Sequence, residues 1–368
     1  MGLRSAVTIT ARSGFTAAPR IVFSPRSLFP LLLSLWIGAA FAQQTLPAAP
    51  SADIARADAL LLAGKPQSAL TILNELAATT PDTPRLQARI GKAYFQSNQF
   101  QKAVPHLKLA LQQNESDTES VQLLALSYFA AGGYAEAVPL FERLGPLLPE
   151  NTADGPYLLA SCYTMTQRWD DARKMYAKLF SVPLDSAMAY LVFGKFLIRQ
   201  RLEDRAVGEI QTALQRDPSL AMAHFLLGEI ALSKGDVSGA VNEFNEELAV
   251  NPGLWLVYWR LGDAYVRLEK YDDAEKVLRQ AIWLNETSSG SYILLGQVAL
   301  KRDDPATAAE YLERALKLDP QNDYVHYFLG KAYQGLNRTS DANQHFAIAR
   351  QLRNSKRADE RAASPSTP

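Results

Sequence analysis

Residues 221–254 read AMAHFLLGEIALSKGDVSGAVNEFNEELAVNPGL, and residues 255–288 read WLVYWRLGDAYVRLEKYDDAEKVLRQAIWLNETS. Few residues are identical between the two stretches, but glycine stands at the eighth position of both, at Gly228 and Gly262. Alanine stands at the twentieth position of both. A pattern that returns after 34 residues predicts a fold built from repeated elements, and this period decides how the rest of the chain is organised.

The period continues over nine repeats, with a single step of 35 residues between the third and the fourth. The eighth position of every repeat holds a small residue: Ala57, Gly91, Ala125, Ala160, Gly194, Gly228, Gly262, Gly296 and Gly330. The twentieth position always holds alanine: Ala69, Ala103, Ala137, Ala172, Ala206, Ala240, Ala274, Ala308 and Ala342. The twenty-fourth position holds a large apolar or aromatic residue: Leu73, Leu107, Phe141, Tyr176, Ile210, Phe244, Leu278, Leu312 and Phe346. Composition alone would not place three such series in one register.

The small residues at the eighth position have a physical explanation. Glycine inside a helix costs about 0.5–1 kcal/mol relative to alanine, so glycines in register need a compensating gain. Close approach of two helices supplies that gain, because a bulky side chain would hold the helices apart. The large residue at the twenty-fourth position lies one turn after the alanine on the same face, where we expect it to fill the space beside the crossing.

Each repeat is predicted to be a pair of amphipathic helices. In the sixth repeat, Leu227, Gly228 and Ala231 lie on one helical face. After a short Lys-Gly-Asp turn, Ala240 and Phe244 lie on one face of a second helix. Apolar residues that recur three or four positions apart are typical of helices.

This register resembles the tetratricopeptide repeat, which has a small residue at position 8, alanine at 20, a large residue at 24 and often proline at 32. Tyrosine at position 11 and proline at position 32 add to the resemblance: Tyr94, Tyr128, Tyr163, Tyr265, Tyr333, Pro81, Pro149, Pro218, Pro252 and Pro320. The resemblance implies an all-α fold, a right-handed α-solenoid (superhelix) of stacked helix-turn-helix hairpins. The first repeat departs from the pattern at Arg56, where the others are apolar, and is expected to be an imperfect cap.

The register divides the chain into four regions. We expect a signal peptide at 1–42, a flexible leader at 43–49, nine repeats within about 50–356, and a disordered tail at 357–368. The repeats are placed at about 50–83, 84–117, 118–152, 153–186, 187–220, 221–254, 255–288, 289–322 and 323–356. The extra residue falls within 144–156, where several glycines and prolines predict a local irregularity. The sequence leaves open whether this stretch is a hinge.

The N-terminal region has the layout of a secretory signal. Residues 1–42 contain four arginines and no acidic residue. An apolar run of 15 residues ends with the sequence Ala-Phe-Ala, whose last residue is Ala42. We expect cleavage between Ala42 and Gln43. Retention as an anchor is the alternative, although a bilayer span needs about 20 residues. The small residues at the cleavage site and the single cysteine favour a bacterial periplasm, with an extracellular or signal-anchored location as alternatives.

The charge balance argues against nucleic acid as a partner. The whole chain has 38 basic and 38 acidic residues, and removing the four arginines of 1–42 leaves 34 basic residues against 38 acidic ones. A mildly acidic chain lacks the clustered positive charge expected of a nucleic-acid-binding protein.

No arrangement of residues predicts catalysis. The four histidines, His106, His224, His326 and His345, have no cysteine or carboxylate at metal-ligand spacing, and structural roles on helices account for them. The single Cys162 is interpreted as a small buried apolar residue. Repeats occupy almost all of the mature chain, so we expect no enzyme activity, cofactor, metal site or small-molecule substrate.

The resemblance also implies where a partner would bind. In the family, the first helices line a concave groove with residues around positions 2, 5, 9, 12 and 13. Positions 2, 5 and 9 give the predicted contacts in the fourth to seventh and ninth repeats: Tyr157, Met188, Leu191, Lys195, Met222, Phe225, Glu229, Trp259, Asp263 and Lys331. Phe225 and Trp259 are expected to face this groove, the alternative being that they only pack between neighbouring repeats. The asparagines with which some members grip a C-terminal carboxylate are missing from position 9.

The predicted function is therefore a scaffold in the cell envelope that holds a segment of a protein or peptide partner in its groove. Peripheral association with the envelope is compatible with this prediction. The alternative is a structural assembly or oligomerisation factor of an envelope secretion or export complex, which predicts a stable homo-oligomer.

Overall fold

The computed structural model describes residues 52–145 and 154–363. The predicted signal peptide, leader and cleavage site lie outside these residues, as do residues 146–153 of the expected irregularity. In the described part of the chain there are eighteen helices and no strand, which confirms the all-α fold. No helix in this part is long and apolar enough to cross a membrane.

The helices form two compact units, one that ends at Pro218 and one that begins at Ser219. The first contains α1 Ala52–Leu62, α2 Pro66–Thr79, α3 Leu86–Gln96, α4 Phe100–Gln113, α5 Thr118–Ala131, α6 Tyr134–Leu144, α7 Asp154–Met165, α8 Trp169–Leu179, α9 Ala187–Arg199 and α10 Glu203–Arg216. The second contains α11 Ala223–Ser233, α12 Val237–Val250, α13 Trp255–Arg267, α14 Tyr271–Leu284, α15 Ser289–Lys301, α16 Pro305–Leu318, α17 Asp323–Gly335 and α18 Thr339–Ala363. Successive helices pack as hairpins, and each predicted repeat contains one of them.

The close contact within each hairpin is the one that the small residues predict. A Cβ added at Gly194 would lie 2.7 Å from Cγ1 of Ile210, and one added at Gly228 would lie 2.4 Å from Cε1 of Phe244. The same overlap with the residue sixteen places later occurs at Gly91, Gly262, Gly296 and Gly330. Ile210 and Phe244 are completely buried. The large side chain of the second helix therefore occupies the space that the missing side chain leaves.

The turn between the two helices of every hairpin contains a residue in the left-handed region, always at position 15. Three of these residues are glycine: Gly64, Gly132 and Gly235. The other six carry a side chain: Asn98, Gln167, Arg201, Glu269, Asp303 and Asn337. Left-handed backbone costs a residue with a side chain about 1–2 kcal/mol. The varied residue types explain why this shared conformation is not apparent in the sequence.

The histidines take part in polar pairs that join the two helices of a hairpin. His224 Nδ1 lies 2.8 Å from Oε2 of Glu243, and His326 Nδ1 lies 2.9 Å from Nδ1 of His345. His106 Nδ1 similarly lies 2.8 Å from the Oε1 atom of Gln87. Each pair joins position 4 of the first helix to position 23 of the second. The contacts agree with the structural roles assigned to these residues.

The C-terminal boundary of the sequence-based assignment is wrong. The last helix continues to Ala363, whereas a disordered tail is predicted from residue 357. Residues 357–363 are arginine, alanine, aspartate and glutamate, most of which favour helix, and no glycine or proline interrupts them. The repeat pattern ends at residue 356, but the last helix continues because the residues that follow favour helix.

Substitution of Gly194 tests the close contact within a hairpin. The variant Gly194→Ala is expected to lower the free energy of unfolding by about 1 kcal/mol or more, because the new Cβ overlaps the buried Ile210 side chain. The control Gly208→Ala, in the other helix of the same hairpin, places its Cβ in open space and should raise the free energy by about 0.5–1 kcal/mol. Urea titrations followed by circular dichroism measure both changes. Two effects of the same sign would contradict the explanation.

Candidate protein-binding surface of the first helices

The first-helix surface is formed by positions 2, 5, 6, 9 and 13 on the first helix of each hairpin. In the first compact unit these helices are α1, α3, α5, α7 and α9, and in the second they are α11, α13, α15 and α17. Four predicted contact residues belong to the first compact unit: Tyr157, Met188, Leu191 and Lys195. Six belong to the second: Met222, Phe225, Glu229, Trp259, Asp263 and Lys331.

Two of the predicted contact residues are core residues. Leu191 is 3% exposed and Phe225 is 7% exposed. The ring of Phe225 packs 5.9 Å from that of Phe244, in a cluster that includes Val257 and Leu261 of the next hairpin. The expectation that Phe225 faces a partner is therefore wrong, and the packing alternative describes it correctly. The side chain at position 5 of these two repeats is therefore buried among helices and is not presented to a partner.

Trp259 is half-buried, and neighbouring side chains cover much of its ring. The guanidinium carbon of Arg260 lies 4.5 Å from the centroid of the indole ring. On another side, a Cβ added at Gly290 would lie 2.7 Å from Nε1 of Trp259, so the start of α15 packs directly on the indole. This nitrogen is buried and has no hydrogen-bond partner among the described residues. Trp259 therefore takes part in the packing between neighbouring hairpins.

The two predicted acidic contacts are already paired with arginines. Glu229 Oε2 accepts a hydrogen bond from Nη2 of Arg260 at 2.6 Å, and Asp263 Oδ2 accepts one from Nη2 of Arg267 at 2.8 Å. Burial raises the pKa of the Glu229 carboxyl above its ordinary value, and the guanidinium of Arg260 partly offsets this shift. Glu229 therefore joins its hairpin to the next one, and Asp263 pairs with a residue one turn along its own helix. A partner that bound either carboxylate would have to displace an arginine.

A cleft with a volume of about 200 Å³ lies between α1, α3 and α5. Its basic residues are all paired. Arg89 holds the carboxylate of Asp58 through Nε and Nη2, at 2.8 and 3.0 Å, and Lys92 Nζ lies 2.6 Å from Oε1 of Glu119. Arg85 Nη2 lies 3.2 Å from the Asp117 carboxylate.

The repeat register does not predict this cleft, because the first repeat is expected to be only a cap. A signal was present in the spacing. Arg89 follows Asp58 by 31 residues, and Arg260 follows Glu229 by the same interval. An arginine at position 6 thus reaches an acid at position 9 of the preceding hairpin in both places.

Around α7 and α9 the first-helix surface is apolar and basic. Met165 and Met188 are 48% and 40% exposed, and Lys195 is exposed as well. Tyr157 is half-buried, with its ring centroid 6.0 Å from that of Phe196, and this contact joins α7 to α9. In the second compact unit, Lys331 is exposed with its Nζ 5.0 Å from the centroid of the Tyr327 ring.

Other potentially reactive groups are built into the packing. Cys162 is completely buried, as predicted, and burial raises the pKa of its thiol to about 12, so the thiol stays protonated near neutral pH. Within the ranges 52–145 and 154–363, no three His, Cys, Asp or Glu side chains lie close enough to hold a metal ion.

A buried carboxylate holds the beginning of α11, which carries several predicted contacts. Glu247 of α12 is completely buried. Its Oε1 accepts a hydrogen bond from the backbone N–H of Met222 at 2.7 Å, and its Oε2 accepts one from that of Phe225 at 3.1 Å. Helix N-termini have unpaired N–H groups and favour negative charge. Glu247 therefore determines where the first-helix surface begins on this hairpin.

Family models match the chain over more than half of its length. A model described as tetratricopeptide repeat matches residues 54–120, 197–254 and 259–323, and a second model with the same description matches 299–361. A model described as anaphase-promoting complex, cyclosome, subunit 3 matches residues 96–179.

Several solved structures are similar to this chain at low identity. MamA from Desulfovibrio magneticus RS-1 is 21% identical, with 46% of this chain and 97% of that chain covered and a TM-score of 0.43. The Pseudomonas aeruginosa protein pilF is 24% identical, with 48% of this chain and 86% of that chain covered and a TM-score of 0.42. YrrB, described as a TPR protein with an unusual peptide-binding site, is 22% identical, with coverages of 49% and 93% and a TM-score of 0.42.

Substitution of Glu247 tests its role at the start of α11. The variant Glu247→Ala is expected to lower the free energy of unfolding by about 1–3 kcal/mol, because two N–H groups lose their acceptor. Glu247→Gln keeps one acceptor oxygen and should lose less. The neighbouring Glu246 is exposed, so Glu246→Ala is the matched control and should change the value by less than about 0.5 kcal/mol. Equal losses from positions 246 and 247 would contradict this role.

Proposed function

The chain belongs to the tetratricopeptide-repeat family, and we propose that it binds a segment of a partner protein on its first-helix surface. Proteins of this family bind protein or peptide partners and are in general non-enzymatic scaffolds.

Exposed apolar side chains at equivalent positions are the observation that carries this proposal. Leu62 and Met165 are exposed at position 13 of their repeats, and Met188 and Tyr324 are exposed at position 2 of theirs. A single exposed apolar residue is common on protein surfaces and needs no explanation. Four that recur on the same face of first helices are typical of a contact surface, where methionine and aromatic residues are enriched.

We also propose that the chain is exported, with the bacterial periplasm as its compartment. The basic start, the short apolar run and the Ala-Phe-Ala sequence that ends at Ala42 support export. A chain with one buried cysteine needs no disulfide to fold, so an oxidising compartment would place no demand on it. An extracellular location and retention at the membrane by the signal are the alternatives.

Determination of the native N-terminus tests the export proposal. Protein purified from its own host is expected to begin at Gln43, because signal peptidase would cleave after Ala42. N-terminal sequencing and intact mass measure this directly. Recovery of the protein with residues 28–42 still attached would contradict cleavage and favour the anchored alternative.

Affinity capture with surface variants tests the binding proposal. The mature chain is expected to retain one or a few envelope proteins, and the double variant Met165→Ser/Met188→Ser should lose most of that signal because it removes exposed apolar contacts. The matched control is Leu109→Ser/Trp283→Ser, which changes exposed apolar residues of the second helices α4 and α14. Mass spectrometry identifies the retained proteins, and circular dichroism verifies the fold.

The two outcomes of this capture are distinct. Equal loss by both double variants, or by neither, would contradict binding through the first helices. Recovery of further copies of this chain alone would favour an assembly factor instead.

A further inference from the structure

We propose that the first-helix surface of α7 and α9 takes a partner segment in which a carboxylate side chain lies close to a large apolar side chain. This inference rests on the proposed function and specifies the chemistry of the partner. It depends on two properties of one surface, which are a lysine without an ion pair and two exposed methionines.

Lys195 differs from Lys92 and Arg260, two basic residues on other parts of the first-helix surface. Lys92 is paired with Glu119 at 2.6 Å, and Arg260 is paired with Glu229 at 2.6 Å. By contrast, Lys195 is exposed and makes no hydrogen bond or ion pair with any described residue. It lies at position 9 of its repeat, which faces the proposed partner.

The helix that carries Lys195 contains no acidic residue. The sequence of α9, AMAYLVFGKFLIR, contains Lys195 and Arg199 and no acidic residue. Arg199 lies one helical turn after Lys195, with its guanidinium carbon 5.7 Å from the centroid of the Phe196 ring. Within α9, therefore, no carboxylate can neutralise Lys195.

The methionines supply the apolar half of the surface. Met188 precedes Lys195 by seven residues, which corresponds to about 10 Å along the helix axis. Met165 is exposed at the end of α7, and Tyr157 of the same helix packs on Phe196 of α9. Methionine is flexible and polarisable, so it adapts to apolar side chains of different shapes.

A partner that covers both parts must match them chemically. Covering the Met188 side chain removes apolar area from water and favours binding. Covering Lys195 removes water from its ammonium group, which is costly unless a negative charge replaces that water. A carboxylate about three residues from a large apolar residue meets both demands in an extended segment, since each residue advances the chain by about 3.4 Å.

Three labelled peptides of one design test this inference. The probes are fluorescein-labelled twelve-residue peptides with leucine at every third position and either glutamate, glutamine or lysine at all others. Fluorescence anisotropy with the mature chain measures their dissociation constants. The dissociation constant of the glutamate peptide is expected to be at least about fivefold lower than that of the glutamine peptide, and the lysine peptide should bind most weakly. The advantage of glutamate should decrease as salt is raised, because ions screen exposed charges.

Charge reversal locates the preference on the surface. The variants Lys195→Glu and Lys195→Gln are expected to abolish the advantage of the glutamate peptide and leave the glutamine peptide unchanged within about twofold. The matched control is Lys174→Glu, which makes the same charge change at an exposed lysine of the second helix α8 and should preserve the preference. Circular dichroism establishes that each variant is folded.

The outcomes separate this inference from the proposed function. Equal binding of the glutamate and glutamine peptides, with both weakened by Met188→Ser, overturns the acidic partner and leaves the binding surface in place. A preference that survives Lys195→Gln also overturns the inference, because the charge is then recognised elsewhere. Absence of binding by all three peptides overturns the inference and counts against the first-helix surface itself.

Discussion

A large side chain at position 24 that packs into the space left by a small residue at position 8 holds each hairpin together. The glycine or alanine lets the helix backbones approach, and the large residue fills the volume between them; it is buried in the first eight hairpins and partly buried at Phe346 of the last. Each hairpin can then offer its two outer faces to the neighbouring hairpins of its compact unit. The register of the first-helix surface follows from this contact, because it sets which residues of the first helix point away from the second.

The charged residues of the first helices divide into two groups with different roles. Pairs such as Arg89 with Asp58 and Arg260 with Glu229 join consecutive hairpins and are partly shielded from solvent. Removing one partner of such a pair leaves the other without compensation, so these residues contribute to the geometry of the surface. Lys195 belongs to the second group, which makes no ion pair with the residues that the structure describes and is available to another molecule.

The sequence predicted the features that depend on a single residue type at a fixed position. The hairpins and the contact made by Gly228 follow from such positions, and the structure agrees with them. Features that depend on which neighbour a side chain reaches were not predictable. The exposure expected for Phe225 was wrong because position 5 serves both the core and the surface, and only packing decides between them. The paired charge of Arg89 likewise depends on the hairpin before it.

The left-handed residue at position 15 of every hairpin has a consequence for how this chain can evolve. Six of the nine turns keep a residue with a side chain in a conformation that glycine adopts without strain. Each of these turns is therefore less stable than it would be with glycine in that place. The loss of stability from a mutation that improves partner binding can then be offset by Arg201→Gly or Glu269→Gly. The turns therefore allow the binding surface to accept mutations that would otherwise unfold the array.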